Sequence, residues 1–588
     1  MKKPSSRSAD AVWRCGSCRR RRARPRAPHR GAGKLANARR PARLSRTLAR
    51  HAESRARRCD LKVDAAGAID VAAIRSRQVL LVVSNRLPIV LETAPEPRGE
   101  RKHALVARPG SGGLVSALLP VLRHRGGTWV GWAGLPTEDG QEREVAQAQE
   151  QASGEFGFAL QGLPLSGAEV RDYYEGFSNR VLWPLFHDLP ERCCFDPAYF
   201  EAYVGVNERF AEAILACGSA DLTWIHDYQL IGVAAALRAR GVLSRLGFFL
   251  HIPFPPPDLY LRLPWRFQIL RMLLAHDLVG FRTLPDRSNF IACVRRLLPE
   301  VKLLGRGHLV AADRIDSGSA SAPPGAQARI GVFPISIDDA GYVKRAQTAV
   351  VRDLAQRLRG NFPPDRQLIL DVDRLDYTKG IPERPRAFDL LLSQHPALIR
   401  RVTLIQVMVP SREDIAEYAS LKAEVDRLVS QINGRYTAPG DWVPVQYVYR
   451  ALAHDELIAW YRCCQIALIT PLKDGMNLVA KEFCARSVDE DAVLILSEFA
   501  GAETQLHGGA LIVNRHGIGS VAAALYRAVR MPLDERRSRM RRLRRQVASG
   551  DVSWWVNAFL RAAIAKDLSD FPRTDDYVPT DAAGYSTV

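Results

Sequence analysis

The sequence predicts an α/β protein built on two doubly wound parallel sheets, each covered by helices on both faces. The chain has 588 residues, too many for one hydrophobic core and enough for two sizeable domains. Short apolar runs recur at 78–83, 222–225, 247–250, 367–372, 402–407, 466–470 and 493–496, each followed by a turn or a helical stretch. The runs do not alternate with polar residues, as befits strands buried on both faces. This reading divides the chain into a basic arm at 1–76, a Rossmann-like domain at 77–328 and a second at 329–548. A helix at 549–568 packs back across both, and 569–588 is a frayed tail.

Composition narrows the function classes. With 47% apolar and 25% charged residues, the chain is of the soluble globular type, and no apolar run is long enough to span a bilayer. The ten cysteines are scattered, several in apolar runs, so reduced thiols in a cytoplasmic protein are expected. The net charge of +20 is concentrated: residues 1–60 carry 20 Lys and Arg against 3 Asp and Glu, leaving +3 for everything after them. The charge therefore belongs to an arm, and the body is near neutral. The arm, with Arg19 to Arg22, Arg24 and Arg26, suits weak binding to nucleic acid or an anionic membrane, a transit peptide, or an extension without function. Its Cys15 and Cys18 lack the second pair that a zinc ribbon needs.

Order is expected from Gln78, with a first strand ending in Ser84, Asn85 and Arg86. Pro109-Gly-Ser-Gly-Gly-Leu114 opens a helical pattern, and a glycine turn before a helix can cradle phosphate. Thr128 to Trp132 reads as a strand. Residues 170–210 are rich in Tyr, Trp and Phe, most of them core, with Asn179 and Arg180 among them to suit a sugar wall. Strands then end in His226-Asp-Tyr228 and His251-Ile-Pro-Phe-Pro255, polar residues at the strand ends where open α/β sheets bind ligands. A helix is expected at 230–240, a loop at 303–329, and at 330–334 the passage to the second domain.

Two stretches of the second half carry chemistry. Asp373-Arg-Leu-Asp-Tyr-Thr-Lys-Gly380 offers Arg374 as a bidentate fork and Lys379 as a point charge for a diphosphate, and it is not a P-loop. Pro471-Leu-Lys-Asp-Gly-Met-Asn-Leu-Val-Ala-Lys-Glu482 reads as a turn at 473–475 feeding a helix from Asn477. Free N–H groups at that helix start suit phosphate, and Asp474 and Glu482 suit sugar hydroxyls.

From about residue 79 to 565 the chain resembles the trehalose-6-phosphate synthase family of retaining GT-B glycosyltransferases. The resemblance rests on motifs in the family's order, among them Ser84-Asn-Arg86, Gly112-Gly113, Gly131-Trp132, Tyr173 to Asn179, Leu182-Trp-Pro184 and Trp224 to Tyr228. Phe249 to Pro255, Arg374 to Gly380, Asp474 to Glu482 and Glu498 to Gly501 complete it. It implies two Rossmann-like domains facing across a cleft, with acceptor held by the first and nucleotide sugar by the second. It implies transfer of glucose from a nucleoside diphosphate glucose, UDP-glucose foremost, to glucose 6-phosphate, giving α,α-trehalose 6-phosphate. No cofactor or metal is expected. The family's front-face chemistry leaves the departing phosphate to accept the acceptor's proton.

The resemblance also implies residue roles. Arg374 and Lys379 hold the diphosphate, and the N–H groups of Gly475, Met476, Asn477 and Leu478 cap it. Gly112 and Gly113 form a loop over it. Asp474 binds donor glucose, Glu482 the ribose, and His251 lies against the glucose. Arg86, Trp132, Tyr174, Trp183 and Asp227 form the acceptor pocket, with Arg412 reaching the acceptor phosphate. A homo-oligomer is expected, and a separate phosphatase is expected to act on the product, since no such domain follows. Pro385 departs from the family pattern and is read as a shifted helix start. The alternatives are glycerol 3-phosphate as acceptor, as in a glucosylglycerol-phosphate synthase, and a silent regulatory subunit, which typically loses the cations or carboxylates present here.

Overall fold

The computed structural model describes residues 80–93, 105–110, 113–136, 142–304, 309–313, 327–411, 416–438 and 440–564. These belong to one compact unit, Ile74–Val588. The basic arm, the tail from 569, Gly112 and Arg412 lie outside the described residues.

Among the described residues, eleven strands come from the first part of the chain. They are β1 (Leu80–Arg86), β2 (Ile89–Thr93), β3 (Leu105–Pro109), β4 (Thr128–Trp132), β5 (Ala159–Gly162) and β6 (Leu222–His226). After them come β7 (Arg245–Phe249), β8 (Leu278–Phe281), β9 (Leu303–Leu304), β10 (Leu309–Asp313) and β11 (Gln327–Val332). Nine form one sheet in the order β5-β4-β1-β6-β7-β8-β11-β10-β9, and β2 and β3 form a separate hairpin. From β5 to β11 all pairs are parallel, and β10 and β9 add on antiparallel. All of β6 and β8 and all of β1 except Arg86 are buried, as their apolar runs require.

The second sheet holds β12 (Gln367–Arg374), β13 (Val402–Val409), β14 (Val445–Tyr449), β15 (Ile466–Ile469), β16 (Val493–Ser497) and β17 (Leu511–Val513). Its order is β14-β13-β12-β15-β16-β17, parallel throughout. Strand order reverses between β1 and β6 in the first sheet and between β12 and β15 in the second. Such reversals leave a crevice at the strands' C-terminal ends, where ligands bind in open α/β sheets.

Three expectations change. The stretch 303–329 is not simply a loop: β9 and β10 lie in it and extend the first sheet. β11 straddles the expected boundary at 328/329 and pairs with β8 and β10, with Ile330, Gly331 and Val332 buried in the first sheet. The helix expected at 230–240 is a short turn at Tyr228–Leu230 followed by Val233–Ala239, with Gly232 between them against the Asn207 side chain.

Two helices position the site. In Val170–Leu182 the turns are wide, with i→i+5 hydrogen bonds such as Trp183 N–H to Ser178 C=O. Such widened turns are rare in helices and occur mostly at functional sites. The helix Val552–Ile564 returns to the first sheet, where Phe559 stacks on Trp224 at 4.3 Å and Trp555 meets Phe249 at 5.1 Å. Gly247 and Gly280 admit it, since a Cβ at either would come within 2.9 Å of the Phe559 ring.

Candidate active site

The two reversal points bring the candidate residues together at the seam between the sheets. On the second sheet, Arg374 ends β12 exposed, and Asp376 then caps the next turn by accepting the Thr378 N–H at 2.9 Å. Gly380 closes this turn at φ +65°, where a Cβ would lie 2.6 Å from the Thr470 carbonyl. Lys379 ends on Asp474, its Nζ hydrogen-bonded to Oδ2, with Asp373 Oδ1 3.9 Å away. Burial opposes the charge on both groups, but each outweighs that for the other. Lys379 is raised above its ordinary value, chiefly by Asp474, and Asp474 is held far below the usual carboxylate range by Lys379 and Arg282.

Asn477 adopts a left-handed backbone, φ +67°, and its side chain caps the helix Leu478–Arg486 by accepting the Ala480 N–H at 3.1 Å. Its amide also donates to Asp474 Oδ2 at 3.2 Å. N–H groups at a helix start have no partners within the helix, and this one starts at Asn477, whose amide touches Asp474, so the turn suits an anion. Met476 is fully buried, so only its backbone can reach a ligand.

A fully buried residue outside the expected set fixes this arrangement. Arg384 bonds Asp371, Asp373 at 2.7 Å, the Lys379 carbonyl at 2.7 Å and Thr470 Oγ1 at 3.3 Å. Pro385, at the third position of helix Glu383–Gln394, is tolerated as expected. Glu482 faces another group: Tyr342 and Tyr461 donate to its two oxygens at 3.1 and 3.2 Å, and Arg486 Nη1 lies 3.7 Å away. Arg486 is wholly buried, with its guanidinium 3.7 Å over the Tyr342 ring. Burial raises Glu482 above its ordinary value, with Arg486 and the two tyrosines opposing the rise only in part.

On the first sheet Arg86 ends β1 and lies over the Trp132 and Tyr174 rings, at 4.7 and 5.7 Å. Asp227 follows β6 with φ +75°, and its Oδ1 accepts the N–H groups of Tyr228 at 3.0 Å and His251 at 3.1 Å. Burial nonetheless raises its carboxyl to about 6. The His251 Nε2 lies 3.1 Å from His226 Nδ1, and burial, with His226 and Arg282, keeps His251 neutral. Trp183 packs on His187 and Tyr228. Across the seam, Lys473 pairs with Asp188 at 2.9 Å and Arg192 covers the Tyr377 ring at 4.7 Å.

The structure thus joins Lys379, Asp474 and Asn477 directly, and likewise Arg86, Trp132 and Tyr174, and Asp227 with His251. Glu482 sits apart from the first set, and Gly113 opens the helix Gly113–Arg125. Sequence reasoning missed Arg282, Arg384, Arg486, Tyr342 and Tyr461. Arg282 carried a usable signal, a cation just past a buried strand, the feature that pointed to Arg374. Tyr342 meets Glu482 from 140 positions away, and no local pattern foretells that.

Solved structures similar to this chain give its class. An E. coli trehalose-6-phosphate protein bound with UDP-2-fluoro glucose superposes with a TM-score of 0.71 at 33% identity, over 84% of this chain and 100% of its own. The UDP-forming α,α-trehalose-phosphate synthase of Burkholderia xenovorans, in complex with glucose-6-phosphate, gives 0.70 at 32%, over 83% and 100%. With two largely parallel sheets and candidate residues at their reversal points, the chain is a glycosyltransferase of the GT-B fold. In sequence, the trehalose-6-phosphate synthase of Mycolicibacterium gilvum is 39% identical over 488 residues, 83% of this chain and 94% of its own. The pattern of glycosyltransferase family 20 matches residues 78–565, and the chain belongs to that family.

Proposed function

We propose that this enzyme transfers glucose, with retention, from UDP-glucose to the anomeric hydroxyl of glucose 6-phosphate, forming α,α-trehalose 6-phosphate. The observation that carries the reading is the Lys379–Asp474 pair at the mouth of the Asn477-capped helix, where a diphosphate and a sugar find complementary groups side by side. The relatives named above support the choice of substrates.

In this reading Lys379 and Arg374 take the donor diphosphate, together with the N–H groups of the 475–478 turn. As the glycosidic bond breaks, negative charge grows on the departing phosphate, where fixed cations and N–H dipoles stabilise it. Asp474 accepts hydroxyls of the glucose that Lys379 uncovers. Glu482, oriented by two tyrosines, accepts ribose hydroxyls. His251, neutral and fixed by its contact with His226, lies against the glucose. Arg86, over its two rings, lines the acceptor pocket, with Tyr174, Trp132 and Trp183 as walls, Asp227 accepting acceptor hydroxyls and Arg412 assigned the acceptor phosphate. No protein nucleophile is required, because the departing phosphate receives the acceptor's proton.

The reaction is proposed to need no metal. No described helix is long and apolar enough to cross a membrane. The phosphorylated product is left to a separate phosphatase, and the chain is proposed to act as a homo-oligomer. The test is UDP release by purified protein given UDP-glucose with glucose 6-phosphate or glycerol 3-phosphate, with and without EDTA. Release with glucose 6-phosphate, unchanged by EDTA, is expected. Release only with glycerol 3-phosphate replaces the acceptor, and release with neither, including with ADP- or GDP-glucose, removes the reading.

A further inference from the structure

Arg282 follows β8 directly and reaches from the first sheet onto the second. Its guanidinium occupies the space a side chain on Gly475 would need: a Cβ there would lie 1.2 Å from Nη2 and 1.8 Å from Cζ. Only glycine lets the guanidinium lie against the turn that feeds the helix Leu478–Arg486. The residue is 7% exposed, and its Nε is buried without a hydrogen-bond partner.

Three carboxylates act on it through space, those of Asp474, Asp286 and Asp227. Each is already committed elsewhere. Asp474 holds Lys379 and Asn477. Asp286 accepts Thr283 Oγ1 at 2.6 Å and the Phe254 N–H at 2.9 Å. Asp227 holds the Tyr228 and His251 N–H groups. A buried guanidinium with an unused donor is unfavourable unless another group completes it. The missing partner must be anionic and rich in acceptors, and it must fit against the 474–478 turn. A phosphate meets these demands, since guanidinium forks match its oxygens two at a time.

We propose that Arg282 is a third cation for the donor diphosphate, contributed by the first sheet to a site otherwise built on the second. This rests on the nucleotide-sugar reading above and adds a residue to it. The residue also lies across the seam, so donor binding ties the two sheets together at the reacting bond.

The test is calorimetric titration of the full chain and of its Arg282→Met and Arg282→Lys variants with UDP, UMP and glucose 6-phosphate. Loss of a charge-assisted bond predicts that UDP binds the Met variant about 10- to 100-fold more weakly. UMP, lacking the second phosphate, should lose clearly less, and glucose 6-phosphate without nucleotide should be unchanged. Arg282→Lys, which keeps the charge but not the fork, should fall between. If Arg282 merely neutralises the surrounding carboxylates, the melting temperature falls while UDP affinity in the folded variant stays at the wild-type value, and the proposal is overturned. Equal weakening of UDP and glucose 6-phosphate overturns it too. Should the Met variant not fold, the Lys variant decides, since unchanged UDP affinity there refutes the fork. Failure of wild-type protein to bind UDP would show instead that the nucleotide reading is wrong, and the Arg282 assignment would fall with it.

Discussion

Replacing Arg384 with Gln should strand two buried carboxylates and unfold the site from beneath. The Asp371 and Arg384 side chains are fully buried and Asp373 is 5% exposed, so solvent cannot take over the lost contacts. Removing one partner from a buried ion pair costs about 3–5 kcal/mol. At about 2–4 °C per kcal/mol for a large domain, that lowers the melting temperature by roughly 6–20 °C. The effect must also depend on pH. Burial already raises Asp371 to about 6 from an ordinary 3.8, with Arg384 opposing the rise. A folded value above the unfolded one means that stability is fully present at low pH and is lost as pH rises through the folded value. In the wild type that loss ends near 6. Without Arg384 the folded value moves higher, so the variant alone keeps losing about 1.4 kcal/mol per pH unit above 6. Calorimetry of both proteins at pH 6, 7 and 8 should show melting temperatures that diverge with pH. Parallel curves, or a drop under about 3 °C, would refute the reasoning.

Lys379→Ala should lower kcat about 10²- to 10³-fold in initial-rate assays, the usual effect of removing one donor from a site of developing charge; near-normal turnover would remove its assigned role. With Asp227 titrating at about 6, the carboxylate that accepts acceptor hydroxyls is lost below that pH. Acceptor kcat/KM should therefore fall about tenfold per pH unit below 6 in the wild type, and Asp227→Asn, weaker throughout, should lack that step. Phe559→Ala empties the space between Gly247 and Gly280 and should cost about 3–5 kcal/mol, read as a lower melting temperature with little change in acceptor KM.

The strands were legible because parallel strands buried on both faces must be apolar throughout. The site was legible where polar residues interrupt such runs at their C-terminal ends, as Arg86, Asp227, Arg374 and Asp474 do. β9 and β10 were not, because they are short strands amid glycine and polar residues, and pairing of β10 with β11 and of β9 with β10, rather than local sequence, makes them strands. Arg384 looked like an ordinary first-turn residue beside Pro385. Its importance comes from Asp371 and Asp373, 13 and 11 positions earlier on β12, which face it only after the chain folds. Arg486 and Tyr342 escaped for the same reason. Periodicity shows which face is buried but not which buried charge meets which.

Lys379 is held in an ion pair with Asp474, and this shapes how a donor would bind. Lys379 lies within 4 Å of two carboxylates, Asp474 in contact and Asp373 at 3.9 Å. Were both free to hold it, an incoming diphosphate would have to displace two anions. Arg384 occupies Asp373 at 2.7 Å, which leaves Lys379 one strong partner. On the proposed chemistry the diphosphate replaces that partner while glucose hydroxyls take up Asp474, so neither Lys379 nor Asp474 is left without a partner. An unpaired Lys379 would carry a desolvation penalty, and a doubly paired one would resist the exchange. Arg384 thus sets both the stability of the second sheet and the readiness of Lys379, and substituting it should move melting temperature and donor KM together.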